Sequence, residues 1–155
     1  MPEMPEVQAH AERLTAALGG ARLDRFELLN FAALKTFDPP ADGAVGARLL
    51  KVERRAKYLL LRFDNEQTHV IHLMQGGRLR LDPKKSKKPR LGLARWTFAE
   101  TASGVEEAWL LTEAGTERKA GVWAVTGDPL PQTPLDDLGP EADKLTVDEL
   151  QALLA

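Results

Sequence analysis

The stretch from Arg48 to Leu81, RLLKVERRAKYLLLRFDNEQTHVIHLMQGGRLRL, carries two apolar runs rich in Leu, Val and Ile, joined across Asp64 and Asn65. β-Branched and aromatic side chains in short runs, broken by a turn-forming pair, predict a β-hairpin. Further strands are predicted at LGLARWTFAE, EEAWLLTEAG and KAGVWAVTG, with Thr101 to Gly104 as turn material between them. Short strands repeated at this spacing confine the chain to a β-sandwich or a barrel. The pair Gly76-Gly77 reads as a bend or bulge in a strand.

The ends of the chain differ from this β-rich middle. From Glu3 to Leu18 the pattern is helical, with Val7, Leu14 and Leu18 on one face and Gly19-Gly20 as a stop. Arg22 to Asn30 is strand-like, and FAALKTFDPPADGAVGA, with its paired prolines and its glycines, reads as a loop. Beyond the strands, DPLPQTPLDDLGPEADK is proline-rich and linker-like. LTVDELQALLA then begins a helix, with Thr146 and Glu149 in capping-box spacing. A helix that starts after a linker and meets the chain end is expected to be the entry to a further domain. The 155 residues are the size of one domain with a real core. With no cysteine, the chain has no disulfide, thiolate nucleophile or cysteine-ligated zinc. No apolar run approaches the roughly 20 residues needed to cross a bilayer, and the first residues are acidic where a secretory signal is basic, so a cytosolic location is expected.

The side chains that carry chemistry are few. His69 and His72 stand three apart on a predicted strand, where they point to opposite faces and cannot readily share an ion, so no metal site is expected. Basic residues cluster twice: Lys51, Arg54, Arg55 and Lys57, then Arg78, Arg80, Lys84, Lys85, Lys87, Lys88 and Arg90. With a net charge of -2 the chain is not held on nucleic acid by bulk charge. The clusters are therefore either solvated faces or a local phosphate-binding surface with salt-dependent affinity. The N-terminal MPEMPEV adds a nucleophile. Pro5 and Glu6 suit the first turn of a helix. If Met1 is removed, Pro2 becomes a free secondary amine whose pKa of about 7.7 to 8 leaves part of it unprotonated at neutral pH. It could then attack a carbon to form an iminium, with Glu3 beside it to shuttle a proton.

MPEMPEV, RRAKYLLL around Lys57, HLMQGGRLR from His72, TERKAGVW from Thr116 and LGPEA from Leu138 together resemble the N-terminal domain of the formamidopyrimidine-DNA glycosylase and endonuclease VIII family. FAALKTFDPP is similar to a less-studied branch of it. The resemblance implies an α+β, mainly β fold: a two-layer antiparallel β-sandwich flanked by an N-terminal and a C-terminal helix. It implies a catalytic domain over 1–130, with 131–155 a linker and the start of a helix-two-turn-helix domain. It implies a base-excision repair enzyme that removes oxidised bases and then nicks the strand as an AP lyase. Pro2 would be the Schiff-base nucleophile, Glu3 the proton donor, and Lys57 the residue that holds a phosphate and assists β-elimination. His72, Lys88 and Arg118 match DNA-contacting positions, Glu6 a carboxylate near the site. Gln75, with Met74 before it, matches the wedge that fills the hole left by an everted base. Ala120 stands where many relatives carry a wedge phenylalanine. No cofactor is expected, since the family's zinc finger has no counterpart in these residues. The partner implied is damaged double-stranded DNA, in a bacterial cytoplasm at the nucleoid. Without the second domain, weak binding and slow turnover are expected. Two other classes remain open: a non-catalytic nucleic-acid-binding module, and a β-rich interaction protein with a merely solvated basic loop.

Overall fold

The structure is a computed structural model that describes residues 4–35, 41–73, 77–83, 89, 91–113, 120–129 and 135. Helix α1 runs Met4–Leu18. Pro5 and Glu6 occupy its first turn, where a missing N–H costs nothing and a carboxylate offsets the helix dipole. Val7, Ala11, Leu14 and Leu18 are buried at helical spacing, so one stripe faces the core. Gly20 ends the helix at φ 83°, a left-handed position that favours glycine.

Eight strands follow: β1 (Arg22–Leu28), β2 (Leu49–Arg55), β3 (Tyr58–Phe63), β4 (Gln67–His72), β5 (Gly77–Leu81), β6 (Gly92–Ala99), β7 (Glu107–Glu113) and β8 (Gly121–Thr126). They form two four-stranded antiparallel sheets, ordered β1-β6-β7-β5 and β2-β3-β4-β8. This is the antiparallel two-layer architecture expected of the chain, with α1 packed against β2. The expected C-terminal helix lies outside the described residues. Within the predicted loop, Phe31–Ala33 and Ala41–Ala44 form short 3-10 turns.

One expectation is corrected. The stretch from Arg48 to Phe63, read as a single apolar run, is two strands, β2 and β3, folded back at Ala56 and Lys57 with Arg55 paired to Tyr58. The turn at Asp64 and Asn65 is real and joins β3 to β4, with the Asn65 side-chain oxygen accepting from Gln67 N–H at 3.2 Å. Gly77 opens β5 rather than interrupting a strand. A Cβ there would lie 2.0 Å from the Leu73 carbonyl oxygen, to which Gly77 N–H donates at 2.8 Å, so only glycine fits at this position.

The main core lies between the sheets, around Leu23, Leu49, Leu59, Leu61, Phe63, Ile71, Trp96, Phe98 and Leu111. Leu60, Val70, Val125 and Leu135 form a second cluster, against which Tyr58 and Trp123 pack. Both faces of the β3-β4-β8 layer are therefore apolar. That is why YLLLRF and HVIH read as near-continuous apolar runs rather than alternating ones. His69 is fully buried and accepts from Trp96 Nε1–H at 2.9 Å, a bond from one sheet to the other. On the first sheet Arg95, 3% exposed, grips Glu27 through two hydrogen bonds of 3.0 Å and Asp82 through one of 2.9 Å. This fixes β1 and the end of β5 to β6, and the Arg95 guanidinium holds the Glu27 carboxyl below its ordinary pKa.

Candidate functional site

Lys57 sits at the tip of the β2–β3 hairpin. Ala56 before it has φ 53°, where a residue with a Cβ is disfavoured by about 1–2 kcal/mol. No glycine or asparagine relieves that cost, so tertiary bonds must hold the turn. Arg54 supplies them. Only 4% exposed, it donates from Nη1 to the Ala56 carbonyl and from Nε to Gln8 Oε1, both at 3.0 Å. One guanidinium thereby ties the second turn of α1 to the loop that presents Lys57. Thr15 adds a second tie, its hydroxyl oxygen accepting from Val52 N–H at 2.9 Å.

A row of residues crosses the second sheet beside this hairpin. Arg55 pairs with Tyr58, Tyr58 with His72, and His72 with Gly121. The Tyr58 ring lies 4.4 Å from the His72 ring and 6.0 Å from that of Trp123. His72 is half-buried, and this burial, with the nearby Lys57 charge, pushes its pKa below the ordinary value. It is therefore neutral at pH 7, an imidazole with one donor and one acceptor nitrogen beside Lys57. A Cβ on Gly121 would lie 2.5 Å from Lys35 Cε, so glycine here lets the stem of a second lysine cross the end of the row.

The sequence-derived site residues divide clearly. Lys57 and His72 fall at the same end of the second sheet, since Tyr58, the residue after Lys57, pairs with His72. Glu6 lies in the first turn of α1 and shares a groove with Leu73, the residue after His72. Pro2, Glu3, Met74, Gln75, Lys88 and Arg118 lie outside the described residues, as do Lys84, Lys85, Lys87 and Arg90 of the basic loop. Arg54 was counted among surface cations and is instead a buried bridge, because its fork reaches two acceptors that charge patterning cannot reveal. His69 and His72 occupy different faces of β4, as their spacing requires.

Three contributors have roles that the sequence does not convey. Arg54 and Lys35 are two. The third is Glu113, 2% exposed at the end of β7, whose two carboxylate oxygens each lie 3.1 Å from Ala120 N. It ties the end of β7 to the residue before β8. Ala120 itself is 2% exposed and packs in the main core.

Comparisons with known proteins bear on the family and the fold. Residues 1–109 match the family model for the formamidopyrimidine-DNA glycosylase N-terminal domain. The chain is 37% identical over 94 residues to a formamidopyrimidine-DNA glycosylase of Heliobacterium modesticaldum, covering 57% of this chain and 33% of that protein. It is 34% identical over 145 residues to one from Rhizorhabdus wittichii, covering 91% and 50% respectively. The chain thus spans about a third to a half of the length of these curated relatives. Among solved structures, the Lactococcus lactis Fpg complex with an abasic site containing DNA is similar with a TM-score of 0.78 at 19% identity, over 98% of this chain and 54% of that one. The same protein with N7-benzyl-Fapy-dG containing DNA is similar with a TM-score of 0.71 over 83% of this chain and 45% of that one, at 18% identity. At such identities the likeness is one of fold.

Proposed function

The chain belongs to the formamidopyrimidine-DNA glycosylase family through its N-terminal domain, and on that premise we propose that it acts in base-excision repair, removing oxidised bases from duplex DNA and cleaving the strand as an AP lyase. The observation that carries this reading is the Arg54 bridge. It holds α1, the helix that Pro2 and Glu3 precede, to the hairpin that presents Lys57 beside His72.

With Met1 removed, the Pro2 nitrogen attacks C1′ of the damaged nucleotide. The new N–C1′ bond replaces the glycosidic bond, whose electron pair leaves on the base nitrogen and is protonated there. The attacking nitrogen gives up its N–H proton, which the departing base takes up, and Glu3 donates a proton to O4′ as the C1′–O4′ bond breaks, which leaves an iminium between Pro2 and C1′. The iminium acidifies the C2′ proton, and its loss expels the 3′ phosphate, which is β-elimination. Lys57 holds a phosphate near the lesion through this sequence, and neutral His72 hydrogen-bonds the backbone next to it. Gln75, Met74 and Arg118 fill the space left in the stack, Lys88 contacts the backbone, and Glu6 supports the carboxylate end of the site.

In this reading residues 1–130 are the catalytic domain and 131–155 lead into a helical domain. No helix among the described residues is long and apolar enough to cross a membrane, and the DNA of the nucleoid is the partner proposed. The test is borohydride trapping on an abasic duplex, using protein whose free Pro2 has been verified by mass spectrometry. A covalent adduct mapping to Pro2 is expected. Absence of an adduct from folded protein that still binds the duplex overturns the lyase reading and leaves a non-catalytic DNA-binding module in its place.

A further inference from the structure

Between α1 and β5 lies a groove of about 310 Å³, lined by Glu6, Val7, His10, Arg13, Leu73, Arg78, Leu79 and Arg80. β5 is an edge strand, since the order of its sheet is β1-β6-β7-β5. His10 spans the groove, its Nε2 lying 2.9 Å from the Leu79 carbonyl oxygen. A carbonyl only accepts, so Nε2 carries the proton, and Nδ1 accepts from Arg13 Nη2 at 3.4 Å. The amide N–H and carbonyl of one residue in an antiparallel strand point to the same side. Leu79 N–H therefore also faces the groove, away from β7.

Among the described residues the arginines of this groove meet no carboxylate. Arg22, Arg48, Arg62 and Arg95 each meet a carboxylate. Among the described residues Arg13, Arg78 and Arg80 do not: Arg13 reaches His10, Arg78 its neighbouring Gly77 carbonyl, and Arg80 has no hydrogen-bond partner at all. Glu6, the one acid among the described residues of the lining, lies seven residues or about 10 Å along the helix from Arg13. Three guanidinium groups left unpaired around one concavity, in a chain with a net charge of -2, form a local positive field. The floor of Val7, Leu73 and Leu79 is apolar and strengthens that field by excluding water.

We propose that the Arg13, Arg78 and Arg80 end of this groove is a phosphodiester subsite, which takes a backbone phosphate of the DNA strand away from the reacting sugar. Arg13 and Arg80 offer forks from the two walls, and Leu79 N–H completes the set of donors. The subsite rests on the reading that the chain works on DNA, and adds to it a grip on the strand at a distance from the hairpin of Lys57.

Fluorescence anisotropy with a duplex containing a tetrahydrofuran abasic analogue, at 50 to 200 mM salt, tests it. Arg80→Ala, Arg13→Ala/Arg80→Ala, Arg80→Lys and the control Arg25→Ala are compared, each checked for folding by circular dichroism. Arg25 is exposed on β1, at the far edge of the same sheet. Each lost phosphate contact lowers the slope of log affinity against log salt by about one. The ratio of wild-type to Arg80→Ala affinity should therefore shrink by roughly three- to fourfold over that salt range. Arg80→Lys should keep the wild-type slope and Arg25→Ala should match wild type. Equal slopes for wild type and the double variant overturn the subsite, as does an equal loss in Arg25→Ala. If wild type binds and is trapped by borohydride while the slopes are equal, the subsite alone falls. If folded wild type binds no duplex, the subsite and the repair reading fall together.

Discussion

Two half-buried histidines set how the protein responds to acid at the level of single residues. Burial is the first cause that pushes His10 and His72 below their ordinary pKa, with Arg13 and Lys57 respectively adding to it, while the Leu79 carbonyl works the other way on His10. As pH falls through the unfolded value near 6.5, the unfolded chain takes up protons that the folded chain refuses. Their contribution to stability is thus present above that value and is lost as pH drops towards the lowered folded values. Each histidine steepens the slope by at most about 1.4 kcal/mol per pH unit. His10→Gln keeps an N–H for the Leu79 carbonyl and removes the titration. The melting temperature of wild type should fall between pH 7.5 and 5.5, and that of His10→Gln should fall less. Parallel curves for the two proteins would show that His10 titrates alike folded and unfolded.

Among elements, the junction of α1 with the β2–β3 hairpin is the one on which the candidate site depends. Arg54→Met removes two charge-assisted hydrogen bonds from a residue 4% exposed and leaves the Gln8 and Ala56 acceptors without that donor. A loss of about 2–4 kcal/mol is expected in denaturant unfolding, and Arg54→Lys should not restore it, since an ammonium has no fork to span both acceptors. Borohydride trapping should fall further than the population of folded protein, because the surviving fold no longer fixes α1 against the hairpin. A variant within 0.5 kcal/mol of wild type and trapped equally well would refute the bridge. The same junction marks the limit of what residue patterns convey. The turn at Asp64 and Asn65 was legible because side-chain oxygens build it locally, as Asn65 does with Gln67 N–H. The turn at Ala56 and Lys57 was not, because its residues have no turn propensity and the bonds that hold it come from β2 and from α1, 46 residues away in the case of Gln8 and Arg54. Lys57 and His72 were picked out by motif. Arg54 and Glu113 act through burial and Lys35 through reach, neither of which the order of residues reveals.

The sandwich as a whole coheres through its apolar core, and a polar bond between Trp96 and His69 crosses that core. Trp96 on β6 and His69 on β4 are both fully buried, and the indole N–H donates to His69 Nδ1 at 2.9 Å. The rings of Phe26 and Phe63 meet the His69 ring at steep angles, with centroids 5.5 and 5.0 Å away, so the imidazole also fills volume between the sheets. His69→Ala therefore carries two costs: an indole N–H stranded in the core, and a cavity where the ring had been. Together they should amount to about 3–5 kcal/mol, a large part of the stability of a domain this size. His69→Gln keeps an acceptor for the indole but fills the space poorly, and should lie between the two proteins. Urea unfolding followed by tryptophan fluorescence measures all three, with Trp96 reporting from the bond itself. Should His69→Ala unfold within 1 kcal/mol of wild type, the two layers would be held by hydrophobic burial alone, and His69 would be filling space without joining the sheets.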